Sequence, residues 1–297
     1  MLARISLEQW RAFVATVEHD GFLPAAEYLN KTQSAVSHAI KKMEDLLGQE
    51  LFIIEGRKAV LTDLGKALLP EAKHLLSTAR KVERLADLYR PGLRSELSLA
   101  VDILFPYDIL YAAFEQFSLA YPNHRIRLYE SALSGTQELM EEGMVELGIA
   151  NALPSQCVTL HLLSASLVCV CHPQHPLAAS TQAIDLDTLA EYRQIVVRDS
   201  GRRHEANHGW LGSTQRWTVT SFDTMLAMVL NNHGFAWLPE HKVKALLAEG
   251  TLIQVPLNQN SERLANLQLG YAEALNKRPE VVDMAHIIHT LCQHARA

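Results

Sequence analysis

Residues 30–47, NKTQSAVSHAIKKMEDLL, limit what this chain can fold into more than any other stretch. Val36, Ile40, Met43 and Leu47 recur at three- and four-residue spacing, which predicts an apolar stripe along a helix. The opposite face carries Ser34, Ser37, His38 and Lys41, short or mobile groups of the kind that reach base edges and phosphates. Thr32 stands where an N-cap is wanted. Gln33 and Ser34 then fall at the helix N-terminus, whose free amides favour phosphate. No acid lies between Thr32 and Lys42. An amphipathic basic helix alone is most often a plain surface helix, so the flanking residues decide.

Upstream, Ser6 to His19 reads as a first helix with Ser6 as its cap and Leu7, Trp10, Phe13, Val14 and Val17 as its stripe. Asp20-Gly21 breaks it, and Pro24 fits the first turn of a short second helix, where a missing N–H is harmless. Ala25 and Ala26 permit close approach of a neighbour, and Asn30-Lys31-Thr32 makes a short polar turn. Downstream, Gly48 stops the third helix. Leu51–Ile54 and Ala59–Leu61 predict a β-hairpin whose tip offers Arg57 and Lys58 to phosphate. The sum over residues 1–62 is a winged helix-turn-helix.

Here the resemblance becomes specific. AAEYLNKTQSAVSHAIKKMEDLLGQELF and the following run to Gly65 resemble the DNA-binding domain of LysR-type transcriptional regulators over about sixty residues. Two positions depart from that pattern: Ile54, where arginine is common, and Ser34, where proline is frequent. The first removes one expected phosphate contact, and the second adds a hydrogen-bonding group.

Residues 63–90 predict a linker helix ended by Pro91-Gly92. Leu68, Ala72, Leu75, Ala79, Val82, Ala86 and Tyr89 alternate spacings of four and three, as in a coiled-coil seam. The helix is roughly 40 Å long, too long to be buried in one small domain. We therefore expect a dimerising helix, and a dimer suits a palindromic DNA site.

From Glu96 onwards the pattern alternates. Short buried strands are expected at 97–101, 126–129, 147–150, 168–171, 194–197, 217–220, 235–238, 252–255 and 267–271. Helices are expected near 106–120, 135–143 and 279–294. Such alternation predicts an α/β domain with largely parallel sheets. HPQHPLA (172–178) and GFAWLPEH (234–241) resemble landmarks of the sensor domain in the same family. The resemblance implies an α+β multidomain chain whose C-terminal part, 91–297, is a two-lobed, periplasmic-binding-protein-like sensor. Lobe one would take about 91–162 and 268–297, and lobe two about 163–267.

Charge is spread unevenly. Residues 1–90 hold thirteen Lys and Arg against twelve Asp and Glu, while the whole chain of 297 carries −6, so the acidity sits in the presumed sensor. The opening MLARISLEQWRAF lacks the apolar core of a secretory signal, and no apolar run approaches membrane-spanning length. With four cysteines, these features predict a reduced, cytoplasmic protein.

Three constellations suggest other chemistry. His204-Glu205-Ala206-Asn207-His208 matches the zinc-hydrolase pattern H-E-x-x-H, but it abuts Ser200-Gly201 and Gly209 and lacks a third ligand downstream. Cys169 and Cys171 are read as buried small hydrophobes on opposite faces of a strand, and His286, His289, Cys292 and His294 as members of a solvated terminal helix. A metal- or redox-responsive regulator, or a zinc-dependent hydrolase, is thus the alternative. No Walker, G-x-G-x-x-G or G-x-S-x-G motif appears, so no catalytic residue, cofactor or metal is assigned.

The resemblance also implies a small-molecule effector between the lobes. Its contacts would be Asp102, Leu104 and Phe105, then Ser131, Ser134 and Asn151, with Arg198, Asp199, Ser200, Thr220 and Ser221 from lobe two. Hydroxyls beside free helix-terminal amides suit a carboxylate, whereas Asp102 and the apolar edge at 103–105 favour something less anionic and aromatic. On double-stranded DNA, Gln33, Ser34, Ser37 and His38 would read bases, Lys41, Lys42, Arg57 and Lys58 would hold phosphates, and the capping Thr32 would join the same interface. The expected assembly is a homodimer through the linker helix, paired into a homotetramer, with RNA polymerase as a further partner and no membrane.

Overall fold

Ser6 starts the first helix with a reciprocal cap. Its hydroxyl accepts from the Gln9 amide at 3.2 Å, while its own amide donates to the Gln9 side chain at 2.9 Å. The computed structural model that shows this describes residues 4–55, 58–87, 96–180, 182–201, 210–258 and 263–295. The chain divides into two compact units, Met1–Asp87 and Leu88–Ala297.

In the first unit, α1 (Leu7–Glu18), α2 (Phe22–Tyr28) and α3 (Gln33–Leu47) precede a hairpin of β1 (Phe52–Glu55) and β2 (Lys58–Leu61), and α4 (Asp63–Asp87) follows. The stripe expected on α1 proves too narrow. Leu7 is exposed, while Gln9 and all of Ala12 to Thr16 are buried, because α2, α3 and α4 all pack against this helix. Ala25 and Ala26 of α2 are fully buried with Ala12, Ala15, Val36 and Ile40, so small residues set the close helix approach. Phe13, Val14, Met43, Leu51, Ala72 and Leu76 form a second cluster that ties α4 and the hairpin to the helices. Glu44 reinforces it by accepting from the Leu51 amide at 2.8 Å.

The seam expected along residues 63–90 divides. Ala72 and Leu76 are buried in the head and Leu68 and Leu69 pack beside them, whereas Leu75 and Val82 are 41% and 64% exposed. The near half of α4 lies on α1 and turns its 3.6-residue face inward, which leaves Leu75 and Val82 outside. The Pro91-Gly92 stop lies outside the described residues.

In the second unit, β3 (Glu96–Asp102), α5 (Tyr107–Ala120), β4 (Arg125–Ser131), α6 (Gly135–Glu141) and β5 (Leu147–Ala150) alternate as expected. β6 (Cys157–Cys171) then runs far longer than the four residues foreseen. α7 (Leu186–Ala190), β7 (Gln194–Val197), β8 (Arg216–Val219), α8 (Phe222–Leu230), β9 (Ala236–Pro239), α9 (Glu240–Ala248) and β10 (Ile253–Gln254) follow. β11 (Arg263–Ala272) and α10 (Pro279–His294) complete it.

The expectation of largely parallel sheets needs correction. β3 pairs parallel with β4 and β5, and β7 with β8, but β5, β6, β9, β10 and β11 join one another antiparallel. The cause is the pair β6 and β11, which run against each other for most of their length with a bulge at Leu267/Gln268. The side chains of β6 change core along the way. Leu162, Ala165, Leu267 and Leu269 pack with Phe105, Phe117 and Ile288, whereas Val168 and Val170 pack with Met225, Val229 and Leu238. Two lobes thus share two crossing strands.

Cys169 and Cys171 are not on opposite faces. Residues two apart on a strand share a side, and both thiols are buried in one cluster with Leu177, Leu189 and Phe235. Burial raises the pKa of both, Cys171 to about 11, so both stay protonated and unreactive. Cys292 is likewise fully buried rather than solvated, while His286 and His294 of α10 are exposed. His204 to His208 lie outside the described residues, and among the described ones no three metal-binding side chains converge.

Candidate DNA interface and ligand cleft

Thr32 caps α3 by accepting from the Ala35 amide at 3.2 Å, and its hydroxyl also bonds that of Ser34 at 3.0 Å. Gly48 closes the helix in the left-handed conformation at φ 72°. With Val36, Ile40 and Met43 turned into the core, the outer face presents Gln33, Ser34, His38, Lys41 and Lys42 to solvent, with Ser37 half-buried among them. Lys41 lies 3.8 Å from Asp45, an exposed pair that holds it loosely. Arg57 and the side chains of Ile54 and Lys58 lie outside the described residues.

In the second unit the lobes meet around a cleft of about 660 Å³. Asp102, Leu104, Ser134, Asn151, Arg198 and Asp199 line it. Ser131, Ser200, Thr220 and Ser221 line a neighbouring hollow of about 560 Å³. Phe105 lines neither; it is fully buried in the lobe-one core. Asp102 is only 4% exposed and accepts from the Leu104 amide at 2.9 Å. Burial outweighs that bond and nearby Lys242, lifting its carboxyl to about 6. Lys242 sits 4.2 Å and 4.6 Å over the rings of Tyr107 and Phe222, and burial lowers its own pKa.

The Ser134 edge of α6 is not a vacant anion site. Asp199 accepts there from the Ser134 amide at 3.1 Å and from the Ser134 hydroxyl at 2.8 and 2.9 Å. Beside it, the Ser200 hydroxyl accepts from the Ala132 amide at 2.9 Å. The protein's own carboxylate therefore latches the lobes together. The latch needs two glycines: a Cβ on Gly201 would lie 2.1 Å from the Ser134 hydroxyl, and one on Gly135 1.9 Å from that of Ser200.

Sequence reasoning missed the lobe-two wall of the cleft. Gln194, Trp210, Arg216, Trp237 and Arg263 line it. Trp237 lies inside the GFAWLPEH run and was open to notice. Arg263 and Gln194 carry no local pattern, because only the pairing of distant strands brings them together.

With this geometry in place, two family descriptions match the chain. "Bacterial regulatory helix-turn-helix protein, lysR family" covers residues 7–66, and "LysR substrate binding domain" covers 90–289. The uncharacterised HTH-type transcriptional regulator YeeY of Escherichia coli (strain K12) is 29% identical over 80% of this chain and 79% of its own. The probable HTH-type transcriptional regulator YhaJ of the same strain is 27% identical, over 87% and 88% respectively. Among solved structures, that of CrgA, a LysR-type transcriptional regulator from Neisseria meningitidis, shares the fold. Its TM-score is 0.51 at 22% identity, covering 96% of this chain and 98% of CrgA.

Proposed function

This chain belongs to the LysR family of bacterial transcriptional regulators, and from that premise we propose how its parts divide the work. α3 enters a major groove, where Gln33, Ser34, Ser37 and His38 read bases while Lys41 and Lys42, with Arg57 and Lys58, hold phosphates. Two chains pair through the exposed Leu75 and Val82 stripe of α4, and two pairs make a tetramer on a two-fold site. The chain works in the cytoplasm with RNA polymerase as its partner in transcription.

The interlobe cleft takes a small effector in the manner of a periplasmic binding protein. By favouring one relation of the lobes, the effector changes the spacing of the paired heads. The observation that carries the DNA reading is the outer face of α3. Its apolar side is saturated by the core, yet Gln33, Ser34, His38, Lys41 and Lys42 are left facing solvent together. Titration of full-length protein on duplex DNA at several salt concentrations tests it. Lys41→Ala should lower the slope of log affinity against log salt by about 1. An unchanged slope removes Lys41 from the phosphate contacts.

A further inference from the structure

Each lobe brings a Ser-Gly pair to the edge where the lobes meet, Ser134-Gly135 at the start of α6 and Ser200-Gly201 after β7. The two pairs interlock, each serine lying over the other lobe's glycine. A Cβ on Gly135 would stand 1.9 Å from the Ser200 hydroxyl, and one on Gly201 2.1 Å from the Ser134 hydroxyl. An approach that close leaves room for hydrogen alone and demands matched polar partners. They are present. Ser200 donates its amide to the Ala132 carbonyl at 3.2 Å, and its hydroxyl accepts from the Ala132 amide at 2.9 Å. Asp199 is aimed from its own side by the Gly201 amide at 2.8 Å and accepts from lobe one through the Ser134 amide and hydroxyl. In the hollow that Ser200 also lines, the Lys242 ammonium of lobe two lies over Tyr107 of lobe one, a second tie.

All of these groups belong to the chain itself, and the bonds to Asp199 are charge-assisted, the stronger kind. The lobes also have a place to turn. β6 and β11 carry the chain between them, and the pairing of these strands shifts register at Leu267/Gln268, opposite Leu163 and His161. A bulge there lets the strands bend. A hinge closed by a latch is a two-state element. We propose that the latch fixes the closed sensor as the resting state of this regulator, and that signalling opens the lobes about the β6–β11 bulge rather than drawing open lobes together. The inference rests on reading the second unit as a sensor for the head, but it needs no particular effector.

Hydrogen exchange of the full-length chain, with no small molecule added, tests it. In the parent the Ala132 and Ser134 amides should exchange slowly. Asp199→Ala should speed both at least tenfold, although it removes the acceptor of Ser134 alone, while amides of β5 and β9 keep their protection and so report intact lobes. Gly201→Val keeps the carboxylate but wedges the lobes apart, and should do the same. Spin labels give an independent reading at Asn123→Cys and Asn232→Cys, exposed positions of lobes one and two. They are placed in a Cys157→Ser background, the other three cysteines being buried, with labelled chains diluted among unlabelled ones. One distance is expected in the parent, and a further, longer one in both variants. Fast exchange in the parent, acceleration confined to Ser134, or label distances unchanged in the variants overturns the proposal. Affinity for duplex DNA selected with the parent should differ at least tenfold in Asp199→Ala. Lobes that open with that affinity unchanged would overturn the signalling role and locate the failure in the coupling of sensor to head, whereas lobes that never open locate it in the latch.

Discussion

Asp102 ends β3 with a carboxyl that water scarcely reaches, between Lys242, which favours its charge, and Asp199, which opposes it. Held at about 6 rather than its ordinary 3.8, it binds more proton in the folded than in the unfolded state. Stability from this group therefore falls as pH rises from about 4 to about 6, and stays lost above. Asp102→Asn, which can still accept from the Leu104 amide, should remove that fall. Urea unfolding at pH 8 should find the variant more stable than the parent by on the order of 2 kcal/mol, with the gap closing towards pH 4. A gap independent of pH would refute this account. The latch makes a second residue-scale prediction. A methyl at Gly135 collides with Ser200, so Gly135→Ala should cost about 1–3 kcal/mol. It should also speed hydrogen exchange at the Ala132 amide, which Ser200 now holds; unchanged exchange would mean that the latch tolerates the methyl.

At the scale of elements, α4 has two faces with different work. Leu76→Ala should destabilise the winged head by about 2–5 kcal/mol in chemical unfolding, since Leu76 is buried against Phe13 and Met43. Val82→Asp, on the exposed stripe, should leave that unfolding nearly unchanged and shift the sedimenting species from dimer or tetramer to monomer. If Val82→Asp assembles like the parent, pairing lies elsewhere. This helix also shows what a sequence reveals. Its start and helical run were legible because propensity and capping are local, but which residues face inward depended on where α1 lies, a tertiary fact. β6 and β11 were foreshortened for the same reason. Their outer halves mix polar and apolar residues, such as His161, Ser164 and Asn266, and are strands because they pair with each other. The cap, stripe and stop of α3 were legible in full. The cleft was half legible: loops that end strands could be named, but Arg263 and Gln194 could not.

The whole molecule joins an α3-led head, proposed to read a specific DNA sequence as a dimer, to an α/β sensor proposed to control it. The family matches cover the head and the sensor in turn, and the residues proposed to read bases are confined to one helix face. Selection of random duplex DNA by the full-length protein, followed by sequencing, tests this most directly. A two-fold symmetric motif should be enriched. In a Ser37→Ala, His38→Ala double variant that motif should fade, while salt-sensitive binding to any DNA remains. Enrichment of the same motif by the double variant, or of none by the parent, would contradict it.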